Sequence, residues 1–175
     1  MDGYDAVVYD LDGTLVELAV DWELVAAEVI EALTAAGIEA TGIDLWDSFD
    51  YAEEADLRDR VESVIQEHER EGAHESIRLP LADRLEGQSP VGVCSLNCED
   101  ACRIALETHA LEAHVDAVIG RDSVPTRKPD PEPLLATLEG LDVPPENAVF
   151  VGDSERDQIT AERAGTAFVW VEEIA

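Results

Sequence analysis

The sequence has one lysine, three cysteines and no long apolar run. A helix that crosses a bilayer needs about 20 consecutive apolar residues, and no stretch approaches that length, so a soluble protein is predicted. Cys94, Cys98 and Cys102 are odd in number and close together, which argues against a disulfide framework. Neither a fourth Cys nor a nearby His completes a tetrahedral metal site, so we expect small core residues in a reducing compartment.

Positive charge is also scarce. The chain has 41 Asp and Glu against 11 Lys and Arg, a formal net charge of -30 and a pI near 4.1. Such a surface repels nucleic acid and anionic membranes, so neither is expected as a partner. Because molar salt screens charges within about 3 Å, the composition predicts a halophilic protein. The N-terminus shows no secretion signal, which predicts a cytoplasmic location.

Short apolar runs and helical stretches alternate along the chain. This alternation predicts an α/β fold, a doubly wound, Rossmann-like parallel sheet of about five strands. The predicted strands cover residues 5–10, 91–95, 115–119, 148–153 and 167–171. The predicted helices between them cover residues 99–111, 131–140 and 154–165.

Some seventy residues between the first two runs contain no convincing strand. Apolar residues there recur at helical spacing in three groups, at 22–33, 57–65 and 77–85. We therefore predict a small helical lobe, residues 17–87, inserted into a core domain of residues 1–16 and 88–175. Four aromatic and four basic side chains of the lobe are open to two interpretations, substrate contact or ordinary packing and ion pairing. They are Trp22, Trp46, Phe49, Tyr51, Arg58, Arg60, Arg78 and Arg84.

Polar residues follow the predicted strands, where open parallel sheets bind ligands. They are Asp10, Asp12, Ser95, Asn97, Lys128, Asp153 and Asp157. Carboxylates that converge on one edge repel each other unless a cation lies between them, and oxygen ligands suit Mg²⁺. Lys128, the only lysine in the chain, offers a compact positive charge for a phosphate oxygen.

These residues stand in four strings that occur in order between residues 5 and 157. The strings are DLDGT at 10–14, SLN at 95–97, RKPDP at 127–131 and GDSERD at 152–157. Together they resemble the four motifs of the haloacid dehalogenase superfamily. The helical insertion resembles the type 1 cap of its phosphoglycolate phosphatase and β-phosphoglucomutase branch.

The resemblance implies a role for each motif residue. Asp10 would be a nucleophile that forms an aspartyl phosphate, and Asp12 a general acid and then a general base. Ser95 and Lys128 would hold the phosphoryl oxygens as catalytic and substrate-binding residues, with Thr14 and Asn97 as further substrate-binding residues.

The resemblance also implies a metal site and a reaction class. Mg²⁺ would be held by Asp10, the backbone carbonyl of Asp12, Asp153 and Asp157, the last directly or through water. The carboxylate at position 12 favours phosphoryl transfer over carbon–halogen cleavage. A chain with no second lysine cannot form the Schiff base of the phosphonate-cleaving branch.

We therefore predict a Mg²⁺-dependent phosphatase that acts on a small phosphorylated metabolite, such as phosphoglycolate or a sugar phosphate. Two alternatives stay open. One is a phosphosugar mutase, and the other is a catalytically silent protein that binds phosphate or acts as a scaffold. The sequence is compatible with either a monomer or a homodimer.

Overall fold

The predicted apolar runs form one parallel sheet. The computed structural model describes residues 3–40, 42–54, 56–88 and 90–174. The strands in chain order are β1 (Ala6–Tyr9), β2 (Val16–Glu17), β3 (Ile77–Arg78), β4 (Val91–Cys94), β5 (Ala117–Ile119), β6 (Ala148–Gly152) and β7 (Ala167–Trp170). The sheet order is β5-β4-β1-β6-β7, and every pairing in it is parallel. The predicted five-stranded Rossmann-like sheet is confirmed.

Helices cover both faces of this sheet, as a doubly wound fold requires. They are α1 (Trp22–Ala35), α2 (Ser48–Glu54), α3 (Arg58–His74), α4 (Glu99–Thr108), α5 (Glu132–Leu141) and α6 (Glu155–Ala164). α4 packs against one face, and α5 and α6 pack against the other. In the described part of the chain, no helix combines the length and the apolar character that crossing a membrane would demand.

The central strand β1 shows how alternate side chains build two cores. Val7 and Tyr9 contribute to the core on the α4 side, whereas Ala6 and Val8 contribute to the core on the α5 and α6 side. Successive strand side chains point to opposite faces, so a strand buried on both faces must be apolar throughout. All four residues of β1 are buried. Because β1 is the central strand, Asp10, which follows it, lies in the middle of the carboxyl edge of the sheet.

The inserted segment differs from the prediction in three places. The run 77–85 is not an α-helix, because Ile77 lies in β3 and a 3₁₀ turn covers Pro80–Arg84. Leu79 has extended backbone, and Pro80 cannot donate a helical hydrogen bond to a preceding residue. β2 and β3 pair antiparallel and join the two ends of the insertion, where no strand was predicted. The short helix α2 was also not predicted.

Candidate active site

The carboxyl ends of β1, β4 and β6 meet around a cavity of about 370 Å³. Because β1 lies between the other two strands, the residues that follow all three come together. The predicted site residues that line the cavity are Asp10, Asp12, Ser95, Asn97, Lys128 and Asp153. Trp22, Leu45 and Trp46 of the inserted segment line the same cavity, so residues from both parts of the chain surround it.

Lys128 is fixed at the bottom of this site by three acceptors. Its Nζ donates to Asp10 Oδ1 at 3.0 Å, to the Cys94 carbonyl at 3.2 Å and to Asp157 Oδ1 at 2.5 Å. Burial of the side chain opposes its charge, but the two carboxylates outweigh that effect and raise the pKa of Lys128. The ammonium is therefore charged at neutral pH and stands beside the predicted nucleophile.

Three carboxylates are close enough to share a cation. Oxygens of Asp10, Asp153 and Asp157 lie within 4.8 Å of one another. Burial raises the pKa of Asp10 to about 7, an effect that Lys128 offsets and Asp157 increases. Burial and the charge of Asp157 also raise the pKa of Asp153. A hard divalent cation such as Mg²⁺ would relieve this crowding, so the residues present fit such an ion.

Asp157 is the most completely held of the three carboxylates. Its side chain is fully buried in the first turn of α6. Oδ1 accepts from Lys128, while Oδ2 accepts from the Ser154 hydroxyl at 2.6 Å and the Ser154 N–H at 3.1 Å. This capping box ties the start of α6 to the site. Asp157 does not line the cavity.

The loop after β1 approaches Asp153 closely at Gly13. Gly13 has a φ of 78°, and a Cβ atom at this position would lie 2.2 Å from Asp153 Oδ2. Any side chain here would push that carboxylate away from the cluster, and the left-handed backbone also favours glycine. The glycine of the DLDGT string is therefore needed for the geometry of the acidic cluster.

Asp12 has the surroundings of a proton-transfer group. Its Oδ1 accepts from the Leu18 N–H at 2.8 Å, which orients the carboxyl. Burial raises the pKa of Asp12 to about 6, and the charge of Asp153 adds to this effect. A carboxyl with a pKa near neutrality can both give and take a proton, which general acid–base catalysis needs.

The loop after β4 is held by residues that the sequence did not single out. Ser95 Oγ donates to Asn97 Oδ1 at 3.0 Å, and Asn97 Nδ2 donates to Glu69 Oε1 at 3.3 Å. Glu69 belongs to α3 of the insertion, is fully buried and also accepts from the Cys98 N–H at 3.0 Å. An acidic side chain of the inserted segment thus orients the loop that carries Ser95.

Arg121 is the counterion of this buried carboxylate. Its guanidinium contacts Glu69 at 2.6 Å and Glu62 at 2.7 Å, and it donates to the Leu96 carbonyl. The charges of Glu69 and Glu62 outweigh the effect of burial and raise the pKa of Arg121. The guanidinium also lies 5.5 Å from the Trp46 ring centre. Arg121 therefore links α3, the loop after β4 and an aromatic side chain of the cavity wall.

Thr14, like Asp157, is a predicted site residue that does not line the cavity. Its side chain is fully buried, and its hydroxyl is the buried side-chain polar atom without a hydrogen-bond partner in the described residues. Its role in substrate binding stays a prediction. The three cysteines are free and buried, as expected for core residues.

Comparison with known proteins agrees with this geometry. Residues 7–171 match the family model of the haloacid dehalogenase-like hydrolases. A phosphoglycolate phosphatase of Cereibacter sphaeroides is 35% identical, over 93% of this chain and 82% of the relative. Pyrophosphatase PpaX of Bacillus cereus is 28% identical, over 93% of this chain and 80% of the relative.

A solved structure resembles the fold over nearly its whole length. It is a haloacid dehalogenase-superfamily hydrolase of subfamily IA from Geobacter sulfurreducens, with a TM-score of 0.61 and 27% identity. The match covers 94% of this chain and 88% of that one. The family model spans all the residues that line the site and the whole sheet except Ala6, the first residue of β1. The chain therefore belongs to the haloacid dehalogenase-like hydrolases, in their phosphoglycolate phosphatase-like branch, and is a phosphoric monoester hydrolase.

Proposed function

We propose that the protein is a Mg²⁺-dependent phosphatase that acts through an aspartyl phosphate at Asp10. The observation that carries this proposal is the placement of Asp10 beside Lys128 and within the cluster of three carboxylates. A nucleophilic carboxylate needs its negative charge stabilised and a positive group near the phosphoryl oxygens. Mg²⁺, which Asp10, Asp153 and the backbone carbonyl of Asp12 would hold, with Asp157 binding it directly or through water, would supply further positive charge to the phosphoryl group.

The side chains support a two-step reaction. In the first step an Asp10 oxygen bonds to phosphorus, the bond from phosphorus to the ester oxygen breaks, and Asp12 gives its proton to the leaving alkoxide. In the second step water attacks the aspartyl phosphate, Asp12 takes the proton of that water, and inorganic phosphate leaves Asp10. Lys128 and Ser95 hold the phosphoryl oxygens throughout.

The cavity and the relatives together support the proposed substrate class. A volume of about 370 Å³ suits a small metabolite. Relatives are named as a phosphoglycolate phosphatase and a pyrophosphatase, which supports a small phosphate ester or anhydride. A phosphosugar mutase remains the second enzymatic candidate. It would isomerise its substrate without releasing inorganic phosphate.

We also propose that residues 17–87 act as a cap on a core of residues 1–16 and 88–175. Trp22, Leu45 and Trp46 line the same cavity as Asp10, Asp12 and Asp153, which supports contact between this segment and the substrate. Closure of such a cap removes bulk water from the site, which strengthens the charge interactions with the phosphoryl group and leaves only the water that Asp12 activates.

The proposal predicts that the protein releases inorganic phosphate from an aryl phosphate only when Mg²⁺ is present. EDTA should abolish release, and added Mg²⁺ should restore it, because the crowded carboxylates then regain their cation. The control is Asp142→Asn, which removes an equal charge at the far end of α5 and should leave the Mg²⁺ requirement unchanged. Substrate isomerisation without phosphate release would support the mutase, and tight phosphate binding without turnover would support the silent protein.

We further propose that the protein works in a salt-rich cytoplasm, because a net charge of -30 destabilises a folded chain through self-repulsion. Raising KCl from 0.1 M to 2 M is expected to raise Tm by at least about 5 °C, which is roughly 2 kcal/mol for a chain of this size. Circular dichroism melts measure this shift. The gain should shrink near pH 4.5, where many carboxylates bind protons. Equal melting temperatures at neutral pH would refute this proposal.

A further inference from the structure

A second cavity, of about 480 Å³, adjoins the candidate active site. Asp12, Trp22 and Asp153 line both this cavity and the active-site cavity. The other residues that line it are Gly13, Glu17, Leu18, Val20 and Leu79. Asp10 and Lys128, which would contact the phosphoryl group, are not among them. Asp12 and Asp153 therefore face two spaces, and we call the second one the flank cavity.

The flank cavity reaches the surface at Glu17. The Glu17 side chain is exposed at the end of β2. The neighbouring strand β3 carries Arg78, but this arginine is paired in register with Val16, and its guanidinium binds Asp83 at 2.7 Å. No described residue forms an ion pair with Glu17. Its negative charge therefore stands at the mouth of the cavity with no basic partner to neutralise it.

The two cavities differ in the charges that line them. The active-site cavity has a wall of mixed charge, since Lys128 and Arg156 line it together with carboxylates. The flank cavity is lined by three carboxylates, Asp12, Glu17 and Asp153, and by no basic residue of the described chain. A cleft lined by charges of one sign concentrates ions of the opposite sign and raises the rate at which they enter. The flank cavity therefore suits a cation.

The flank cavity leads to the proposed metal site. Oxygens of Asp153, Asp10 and Asp157 lie within 4.8 Å of one another, so an ion that arrives at Asp153 has reached the cluster. Gly13 lines the cavity beside Asp153 and adds no side chain there. An octahedral shell of water around Mg²⁺ occupies roughly 180 Å³, at about 30 Å³ for each water. A cavity of about 480 Å³ therefore has room for the hydrated ion.

We propose that the flank cavity is the entrance for the divalent cation, separate from the entrance that the phosphate ester uses. The inference rests on the proposed function, because it concerns the metal of the same site. Glu17 attracts the cation at the surface, and Asp153 is the first carboxylate of the cluster that it meets. Because the phosphate ester occupies the other cavity, the cation and the substrate can bind in either order.

The test blocks each entrance in turn with a bulky group and measures the binding of Mn²⁺, which prefers the same oxygen ligands as Mg²⁺. The native cysteines are buried, so N-cyclohexylmaleimide should label only an introduced cysteine. Glu17→Cys places the label at the flank cavity, and Leu45→Cys places it at the active-site cavity. Glu146→Cys, at an exposed site just before β6, is the matched control.

Two measurements on Mn²⁺ need no turnover. Stopped-flow tryptophan fluorescence gives the association rate, since Trp22 lines both cavities and lies close to the ion on either route. Electron paramagnetic resonance of free Mn²⁺ gives Kd. All proteins are compared at one fixed KCl concentration at which circular dichroism shows the native fold, because salt screens the attraction of the cation.

Labelled Glu17→Cys is expected to lower the association rate of Mn²⁺ about tenfold or more. Its dissociation rate should fall by a similar factor, because a blocked passage slows both directions and leaves Kd nearly unchanged. Glu17→Lys, which needs no label, should lower the association rate about threefold or more through its charge. Labelled Leu45→Cys should raise KM for an aryl phosphate and leave Mn²⁺ association nearly unchanged, and labelled Glu146→Cys should alter neither.

Three results would overturn the proposal. One is a Mn²⁺ association rate that labelled Glu17→Cys leaves unchanged, and another is a rate that labelled Leu45→Cys lowers more strongly. Either result would assign the entrance of the cation to the active-site cavity. The third is a higher Kd in labelled Glu17→Cys with an unchanged association rate, which would make Glu17 part of the binding site itself.

Failure of the proposed function would give a different result. A native protein that binds Mn²⁺ but releases no phosphate would refute the phosphatase, while the Mn²⁺ rates would still decide whether the flank cavity is the entrance. A native protein that binds no Mn²⁺ would refute both the metal requirement and the entrance.

Discussion

Asp10→Asn is expected to lower phosphate release by on the order of 10⁴-fold or more, the size of loss seen when a nucleophile is removed from a group that acts as a unit. The amide has nearly the same shape as the carboxylate, and its oxygen can still accept from Lys128, which donates to Asp10 Oδ1 at 3.0 Å. Folding should therefore survive. The amide oxygen is a poor nucleophile, however, and cannot form the acyl phosphate. Initial rates of phosphate release at saturating Mg²⁺ measure the loss.

The matched control for this variant is Asp5→Asn. Asp5 lies just before the same strand, at the opposite edge of the sheet, and accepts a hydrogen bond from Asn147 at 2.9 Å. The substitution removes the same charge from an exposed site, so activity should change little. Residual activity of Asp10→Asn above about a tenth of the native rate would exclude the covalent mechanism. In that case Asp10 would act only as a metal ligand, and a water molecule would be the attacking group.

Asp12→Asn is expected to lower phosphate release and tests the role of Asp12 as general acid and base. Loss of a general acid or base costs about 10²- to 10⁴-fold. With a good aryl leaving group the first step needs little protonation, so the aspartyl phosphate should accumulate because water lacks its base in the second step. Intact mass spectrometry after acid quench would detect the added phosphoryl group on Asp12→Asn. Its absence from a slow but active variant would place Asp12 in the first step only.

The residues that deliver chemistry could be predicted because they follow strands. Asp10, Ser95 and Asp153 each come shortly after a buried apolar run, and the parallel sheet brings the carboxyl ends of those runs together. The apolar runs predict the strands, and the place of each polar residue just after a run predicts that it lies at the carboxyl edge of the sheet. Lys128 stood out for a different reason, since it is the only lysine.

The residues that hold the loop after β4, Glu69 and Arg121, could not be predicted in the same way. Glu69 is one of 41 acidic residues, and its burial depends on Arg121, which lies 52 positions further along the chain. One feature of the sequence could have indicated that Glu69 is buried. Val61, Ile65 and Glu69 are spaced by four residues, so Glu69 continues the buried stripe of α3. A carboxylate on an apolar helical stripe indicates a buried partner, although it does not identify that partner.

The short elements of the insertion were missed for another reason. β2 and β3 have two residues each, too few for an alternating pattern to appear. Ile77 and Leu81 have helical spacing, but Pro80 between them favours the end of a helix or its first turn. Tertiary pairing with Val16 and Glu17 determines the extended conformation of Ile77 and Arg78.

We expect the largest effect on stability from a change in the buried ion pairs that Arg121 forms with Glu62 and Glu69. Arg121→Met should lower the free energy of unfolding by about 3–5 kcal/mol, the usual cost of leaving a buried charge without its partner. The side chains of Arg121 and Glu69 are 3% and 0% exposed, so solvent cannot replace the lost contacts. Urea unfolding at fixed molar KCl measures the change. Arg103→Met, which removes an arginine with a 59% exposed side chain, is the control and should cost less than about 1 kcal/mol.

A double variant separates buried charge from lost packing. Arg121→Met combined with Glu69→Gln removes the uncompensated charge, and the amide oxygen can still accept one of the two hydrogen bonds that Glu69 accepts, from Asn97 Nδ2 at 3.3 Å and from the Cys98 N–H at 3.0 Å. Part of the lost stability should therefore return. If the double variant is as unstable as Arg121→Met alone, the cost arises from packing around Trp46 and Leu96, and the electrostatic explanation is wrong. If stability returns but kcat/KM of the double variant is below that of the native protein, the Arg121–Glu69 pair is needed to hold the Ser95 loop in its catalytic position.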